Sequence, residues 1–273
     1  MTPVLAGRAA VIAGASEGLG LEIALTYVRA GASVLLCART AATLERAERE
    51  VRAAAHADQQ VRAVVADVSN VADVEHVTRE AMQHFPQVHA LVNNAGVYGP
   101  LGPLESIDWN EWTRAVEINL YGSVLMTRAL IPHFKQHGYG KIVQLSGGGA
   151  TNPLPRITAY AASKAAVVRF AESIALELAP YGIDVNAIAP GALNTRMAKA
   201  LELLERAPEA ELVWASPREL LNIFQADRIG CHIITVTADI LQKIPLIGRD
   251  LDQFSLDTVK MFYNDGRRVS FSL

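Results

Sequence analysis

Tyr160 and Lys164 sit four residues apart in "TAYAASKAAVVRF" (158–170), among alanines that favour helix. Positions four apart share a helix face, so the phenol and the ammonium point the same way while Ser163 faces elsewhere. Two readings fit this pair. One is an amphipathic helix with a surface lysine. The other is a phenol whose acidity is set by the cation beside it, which is proton-transfer chemistry. A second stretch is "GASEGLG" (14–20), following an apolar run and opening a helical pattern. Gly14 permits a tight turn, Gly18 lets backbone approach a pyrophosphate at a helix N-terminus, and Gly20 allows close helix–sheet packing. A glycine loop in that context is a dinucleotide-binding signal.

The elements that must position these groups alternate. "AAVIAG" (9–14), "SVLLCAR" (33–39), "VRAVVADV" (61–68), "VHALVNNAG" (88–96), "KIVQLSGG" (141–148) and "IDVNAIAPG" (183–191) read as strands, most of them apolar on both faces. Helical patterns fill 18–30, 40–56, 70–84, 109–137 and 157–180. This alternation predicts an α/β fold with a doubly wound, Rossmann-like parallel sheet. Ligands of such sheets bind beyond the carboxyl ends of the strands, where the unusual residues cluster.

Composition narrows the function. The chain's 273 residues are 51% hydrophobic, enough for one large domain with a substantial core. A net charge of -3 with interleaved acids and bases predicts no nucleic-acid partner. Cys37 and Cys231 read as reduced core residues, and neither they nor the histidines show metal-ligand spacing, so no metal is expected. His133, His137, Trp109 and Trp112 lie on amphipathic helices and read as packing residues. No apolar run spans a bilayer and the N-terminus lacks a signal layout, so the expected place is the cytoplasm, with no membrane partner.

Taken in order, "AGASEGLG" (13–20), "ADV" (66–68), "NNAG" (93–96), "IN" (118–119), Ser146, Tyr160-x-x-x-Lys164 and "APG" (189–191) followed by Thr195 resemble the short-chain dehydrogenase/reductase family over residues 5–197. The resemblance implies an NAD(P)-dependent carbonyl reductase or alcohol dehydrogenase with a catalytic tetrad of Asn119, Ser146, Tyr160 and Lys164. Tyr160 would be the acid–base, its pKa lowered by Lys164. Lys164 would also hold the nicotinamide ribose, Ser146 would polarise the substrate carbonyl, and Asn119 would hold a proton-relay water. For the cofactor it implies Gly14, Ser16, Gly18, Leu19 and Gly20 in the loop. Asp67 and Val68 would reach the adenine, with Asn93, Ala95 and Gly96 along the ribose. Pro190, Gly191 and Thr195 would close over the nicotinamide and phosphates, and Tyr160 and Lys164 would contact the dinucleotide as well. Where NAD-using members carry an acid, this chain has Ala38 and then Arg39, which favours NADP(H); Glu17 opposes a 2′-phosphate and keeps NAD(H) as the alternative.

The substrate implied is a small polar or sugar-like carbonyl, between "SGGGATNPLP" (146–155) and "VYGPLGPLE" (97–105), with Tyr98, Thr151 and Asn152 as polar contacts. A homo-oligomer, dimer or tetramer, is the family's habit. One dinucleotide-binding catalytic domain (1–200) is expected, followed by an atypical segment (201–273) that is not expected to be an independent domain. Within the latter, 212–266 resembles the C-terminal part of a transaldolase, with Ser216 and Arg218 at phosphate-binding positions but without the lysine nucleophile. Two readings of this segment stand: "CHIITVT" (231–237) supplies a seventh strand beside 183–189, with 217–228 as its preceding helix, or the segment is a loosely attached tail with its own local structure. The competing reading of the whole chain is a catalytically weak dinucleotide sensor or interaction protein.

Overall fold

The computed structural model describes residues 3–150 and 153–190, together with two short strands at 213–214 and 233–234. Two compact units separate, Met1–Leu193 and Asn194–Leu273. In the first, six parallel strands run β3-β2-β1-β4-β5-β6. These are β1 (Ala9–Ala13), β2 (Ser33–Ala38), β3 (Val61–Val65), β4 (Ala90–Asn93), β5 (Gly140–Leu145) and β6 (Ile183–Ile188). The order reverses between β1 and β4, which opens a crevice at the strands' carboxyl ends.

Helices cover both faces. Alternation along β1 sends Ala10 and Ile12 toward α1 (Gly18–Arg29) and α2 (Ala41–Ala54), where Ala24, Val28, Leu44 and Val51 complete one core. Ala9, Val11 and Ala13 face the other way, against α3 (Val71–His84), α5 (Gly122–His137) and α6 (Thr158–Leu178). All five residues of β1 are buried, which explains why this strand shows no polar alternation. Cys37 is buried in the second of these cores, its thiol pushed up to about 12 by burial, and is inert.

The helical pattern expected over 109–137 is broken into α4 (Trp109–Val116), a π-helical turn (Glu117–Tyr121) and α5. A π turn inside a helix is rare and clusters at functional sites. Here Gly122 follows it, because a Cβ at that position would lie 2.5 Å from Val68 Cγ2.

At the opposite end of the sheet, two histidines act as acceptors, His133 buried and His89 half-buried. Ala9 N–H donates to His89 Nδ1 (3.1 Å) and Val88 N–H donates to His133 Nε2 (2.9 Å). Burial, first, and neighbouring cations or histidines hold both side chains below the ordinary 6.5. Protonation would turn each acceptor into a donor facing a donor. The stability these groups contribute is therefore complete above 6.5 and lost as pH falls below it. The urea midpoint is expected to drop between pH 7 and pH 5, and His133→Gln to flatten that drop; an unchanged slope in the variant would refute the assignment.

In the second unit, β7 (Val213–Trp214) pairs in parallel with β8 (Ile233–Ile234). This corrects the expected ladder of 231–237 on 183–189: among the described residues, 233–234 pairs with 213–214 and the six-stranded sheet ends at β6. Strands close in sequence pair at a smaller loop-closure cost, and the connection from 215 to 232 is long enough for a parallel crossover. The expected helix 217–228 lies outside the described residues, as do Cys231, Ser216 and Arg218.

Candidate active site

The β1–α1 turn is built by three glycines with different tasks. Gly14 has φ +68°, and a Cβ there would lie 2.7 Å from Ala95 Cα. Gly20 cannot carry a side chain, since its Cβ would meet Gly14 O at 2.1 Å. Gly18 has φ +56° and open space beyond it. Asn94 Nδ2 donates to Gly14 O at 2.9 Å and ties the turn to the end of β4. Glu17, the N-cap of α1, makes no side-chain capping bond, so the first N–H groups of α1 are left for a ligand. Leu19 packs onto the core under α1 rather than facing the cleft.

A cleft of about 440 Å³ lies along this turn. Among the expected residues, Gly14, Ser16, Arg39, Val68, Ala95 and Gly96 line it. Glu17, Thr40, Thr43, Asn94, Val97 and Ile118 line it as well. The volume is that of a small-molecule or cofactor site, and the bare-backbone floor, free helix N-terminus and clear space at Gly18 suit a dinucleotide diphosphate.

Two further expected residues, besides Leu19, are placed differently. Asn93 turns from the cleft: its Nδ2 donates to Ser123 O (3.3 Å) and Thr127 Oγ1 (3.1 Å) on the α5 side. It is Asn94 that faces the cleft. Asp67 directs its carboxylate to Ser69, at 3.0 Å from the backbone N–H and 2.6 Å from the hydroxyl, and to the Arg114 guanidinium. Burial is the largest single effect and raises its carboxyl, but the Ser69 and Arg114 interactions together outweigh it and hold the group below the ordinary 3.8. Of "ADV" (66–68), Ala66 and Val68 line the cleft and Asp67 does not. Pro190 is half-buried just past β6; Gly191, Thr195, Thr151 and Asn152 lie outside the described residues.

Asn119 and Lys164 meet beside Gly96, with Ser146 bonded to the backbone of Lys164 and the Tyr160 ring 5.9 Å from the Lys164 Nζ. Lys164 is 4% exposed, its Nζ donates to Leu145 O at 2.6 Å, and a Cβ on Gly96 would lie 3.2 Å from that Nζ. Burial pulls the lysine down to about 8. Asn119 sits in the π turn, fully buried. Its Oδ1 accepts from Val97 N–H (2.7 Å), and its Nδ2 donates to Val97 O (2.9 Å) and Ser163 Oγ (2.9 Å). Both amide protons thus go to protein groups, so the side chain fixes the wall of the cleft and offers no donor to a water. Ser163, expected to face elsewhere, is buried and joins Asn119 to Tyr160 O. Ser146 Oγ donates to Lys164 O at 2.9 Å.

Tyr160 departs from expectation in its acidity. Burial, and then the neighbouring Tyr98, raise it above the ordinary 10.0. Lys164 Nζ stands 5.9 Å from the centroid of the Tyr160 ring and bonds a carbonyl instead of the phenol oxygen, so it does not supply the expected lowering. The Tyr98 ring lies 5.0 Å from that of Tyr160, tilted by 45°. On the other side the hydroxyl packs on bare backbone, since a Cβ at Gly147 would meet Tyr160 Oη at 2.2 Å. Gly147→Ala is therefore expected to push the hydroxyl aside and lower kcat about 10²-fold, the scale of a 1 Å misplacement. Dinucleotide binding, followed by NADPH fluorescence, should be unchanged; an alanine variant with full kcat would show that this packing is irrelevant.

The short chain dehydrogenase family model matches residues 8–205. The chain is 35% identical over 193 residues to 11-beta-hydroxysteroid dehydrogenase-like 3 of Arabidopsis thaliana, covering 71% of this chain and 61% of that protein. It is 32% identical over 225 residues to dehydrogenase/reductase SDR family member 4 of Oryctolagus cuniculus, covering 82% and 81%. Among solved structures, the 3-ketoacyl-(acyl-carrier-protein) reductase from Brucella melitensis complexed with NADH superposes with a TM-score of 0.65 at 38% identity, covering 69% of this chain and 76% of that one. The chain belongs to the short chain dehydrogenase family, whose members are NAD(P)-dependent oxidoreductases acting on CH–OH and C=O groups.

Proposed function

We propose that this chain is an NADP(H)-dependent oxidoreductase that reduces a small polar or sugar-like ketone to an alcohol, or runs the reverse, with Asn119, Ser146, Tyr160 and Lys164 as its working residues. The observation that carries this reading is buried Lys164 beside Gly96, a residue of the cleft wall, with its Nζ 5.9 Å from the centroid of the Tyr160 ring and Ser146 Oγ bonded to its backbone carbonyl. The bound nicotinamide dinucleotide would supply or accept the hydride. Tyr160, held as the neutral phenol, gives its proton to the oxygen of the reduced carbonyl. Ser146 Oγ turns from Lys164 O to donate to that oxygen as negative charge develops there. Lys164, cationic below about 8, faces both Gly96 and the phenol's surroundings and keeps positive charge near the developing alkoxide. Asn119 positions Val97 and, through Ser163, the first turn of α6.

The residues present fit a phosphorylated ribose better than a free one. Arg39 lines the cleft and makes no hydrogen bond or ion pair among the described residues, leaving its fork of donors for a ligand. Thr40, the N-cap of α2, makes no capping bond and lines the same end with Thr43, so the N-terminus of a 14-residue helix faces the place of a 2′-phosphate. Gly14, Ser16, Gly18 and Gly20 would hold the diphosphate, Val68 and Asn94 the adenosine, and Pro190, Gly191 and Thr195 the nicotinamide end. NAD(H) remains the competing cofactor because Glu17 is in the lining.

The test is oxidation of NADPH and NADH by the full chain over a panel of small aliphatic and sugar-like ketones. Turnover with NADPH supports the reading. Tight binding of the dinucleotide without turnover of any carbonyl would support the second reading, a sensor on a reductase scaffold. The family match ending at residue 205 favours that alternative. The β7/β8 parallel pair is what consecutive strands of a transaldolase-like barrel fragment would form. With no lysine nucleophile in that fragment we expect no aldol cleavage. Among the described residues no helix is long and apolar enough to cross a membrane. The proposal includes a cytoplasmic homo-oligomer.

A further inference from the structure

A carboxylate stands where the proposed cofactor carries most charge. Glu17 lines the cleft next to Ser16, near Arg39, Thr40 and Thr43. Left alone it would oppose a 2′-phosphate, because like charges brought together in a binding site are strongly unfavourable. It is not alone. Arg46, on the first half of α2, donates from its guanidinium to Glu17 Oε1 at 3.0 Å, joining the α1 cap to α2 across the rim. Both side chains are 64% exposed. As a stabiliser of the fold such a pair contributes little, so its value lies elsewhere. With Arg46 in place the cations at this end outnumber the carboxylate. Without it Arg39 and Glu17 cancel, and the carboxylate is free to swing toward the ribose.

We propose that Arg46 is a specificity-determining residue. By pairing with Glu17 it neutralises and restrains that carboxylate, so that the end of the cleft formed by Arg39, Thr40 and the N-terminus of α2 accepts a 2′-phosphorylated dinucleotide. Arg46 acts through Glu17 and not by touching the phosphate. The inference rests on the NADP(H) reading above. It also accounts for a sequence that combines a phosphate-binding arginine after β2 with an acid in the glycine loop.

A double-mutant cycle tests it, using NADPH and NADH fluorescence titrations on the full chain, a readout that does not depend on turnover. Arg46→Ala is expected to weaken NADPH about 3–10-fold and NADH by less than about twofold, with the difference shrinking at high salt. Glu17→Gln should bind NADPH as well as or better than the unmodified chain. In the Glu17→Gln background, Arg46→Ala should change NADPH binding by less than about twofold. Three outcomes overturn the proposal: no effect of Arg46→Ala on NADPH, an equal effect on both cofactors, or an undiminished effect in the Glu17→Gln background, which would place Arg46 on the phosphate itself. Arg39→Ala separates this failure from failure of the underlying reading. If the unmodified chain binds both cofactors equally and Arg39→Ala leaves that ratio unchanged, the NADP(H) reading falls and the inference with it. If Arg39→Ala abolishes an NADPH preference that Arg46→Ala leaves intact, only the inference falls.

Discussion

Tyr160→Phe is expected to lower kcat for carbonyl reduction about 10²–10⁴-fold, the usual contribution of a positioned acid, while dinucleotide affinity stays within about twofold. The substitution removes one oxygen that packs on Gly147 and leaves the ring against Tyr98 in place. The cleft lining does not include Tyr160, so the titration of NADPH should not notice the change. The structure adds a direction to this prediction. Burial and Tyr98 keep the phenol above its ordinary pKa of 10.0, so at neutral pH it carries the proton that reduction needs. The reductive rate of the unmodified chain should be flat from pH 6 to 9, as far as this group is concerned, while oxidation of an alcohol, which needs the phenolate, should climb with pH. Tyr98→Phe tests the coupling: removing the neighbouring hydroxyl should move the oxidation profile toward lower pH. A Tyr160→Phe protein that kept its kcat would end the acid–base assignment.

The residues that could be read from sequence are those whose role follows from backbone position. The strand and helix alternation pointed to the six-stranded parallel sheet because β1, β2 and β4 are covered on both faces and read as largely apolar runs. Gly14 and Gly20 were legible for the same reason: the turn and the helix entry demand them wherever a strand runs into a phosphate-facing helix. What sequence could not supply was side-chain direction. The motif "NNAG" offers two asparagines, and alternation alone separates them. Leu91 and Asn93 share the face toward α5, while Val92 shares a face with Ile12 toward α1, so the next residue, Asn94, reaches Gly14 and the cleft. Counting parity from Val92 would have found it.

Electrostatics was the other blind spot. A tyrosine and a lysine on one helix face suggest mutual stabilisation, yet whether the ammonium reaches the phenol or a carbonyl depends on where β5 ends. Leu145 O takes it. Nor does any local pattern announce that Arg46 meets Glu17 from 29 residues away. The second strand pair, Val213–Trp214 with Ile233–Ile234, was misassigned because both candidate partners for 233–234 are apolar and parallel pairing carries little sequence-specific signal.

Lys164→Met should separate stability from function in opposite directions. Nζ is buried with only a carbonyl for company, and among the described residues no carboxylate pairs with it. Burial brings its pKa from the ordinary 10.5 to about 8. At about 1.4 kcal/mol per pKa unit, holding the charge at neutral pH costs the folded state on the order of 3 kcal/mol. Methionine fills nearly the same volume without the charge. Losing the bond to Leu145 O returns about 1 kcal/mol of that, so a net gain of about 1–2 kcal/mol is expected, with a higher urea midpoint at pH 7. The pH dependence fixes the cause. A lysine whose folded pKa is depressed contributes its full stability only above its unfolded value of 10.5 and loses it as pH falls through about 8. The advantage of methionine should thus be largest at or below pH 7, shrink between 8 and 10.5, and vanish above. Turnover should collapse at every pH, because the cation beside Gly96 and the phenol is gone. A methionine variant less stable than the parent at pH 7, or one whose advantage persists undiminished at pH 10, would show that the buried ammonium is not held at a cost to the fold. Where the prediction holds, the only reason for so unfavourable a charge at this place is the chemistry performed there.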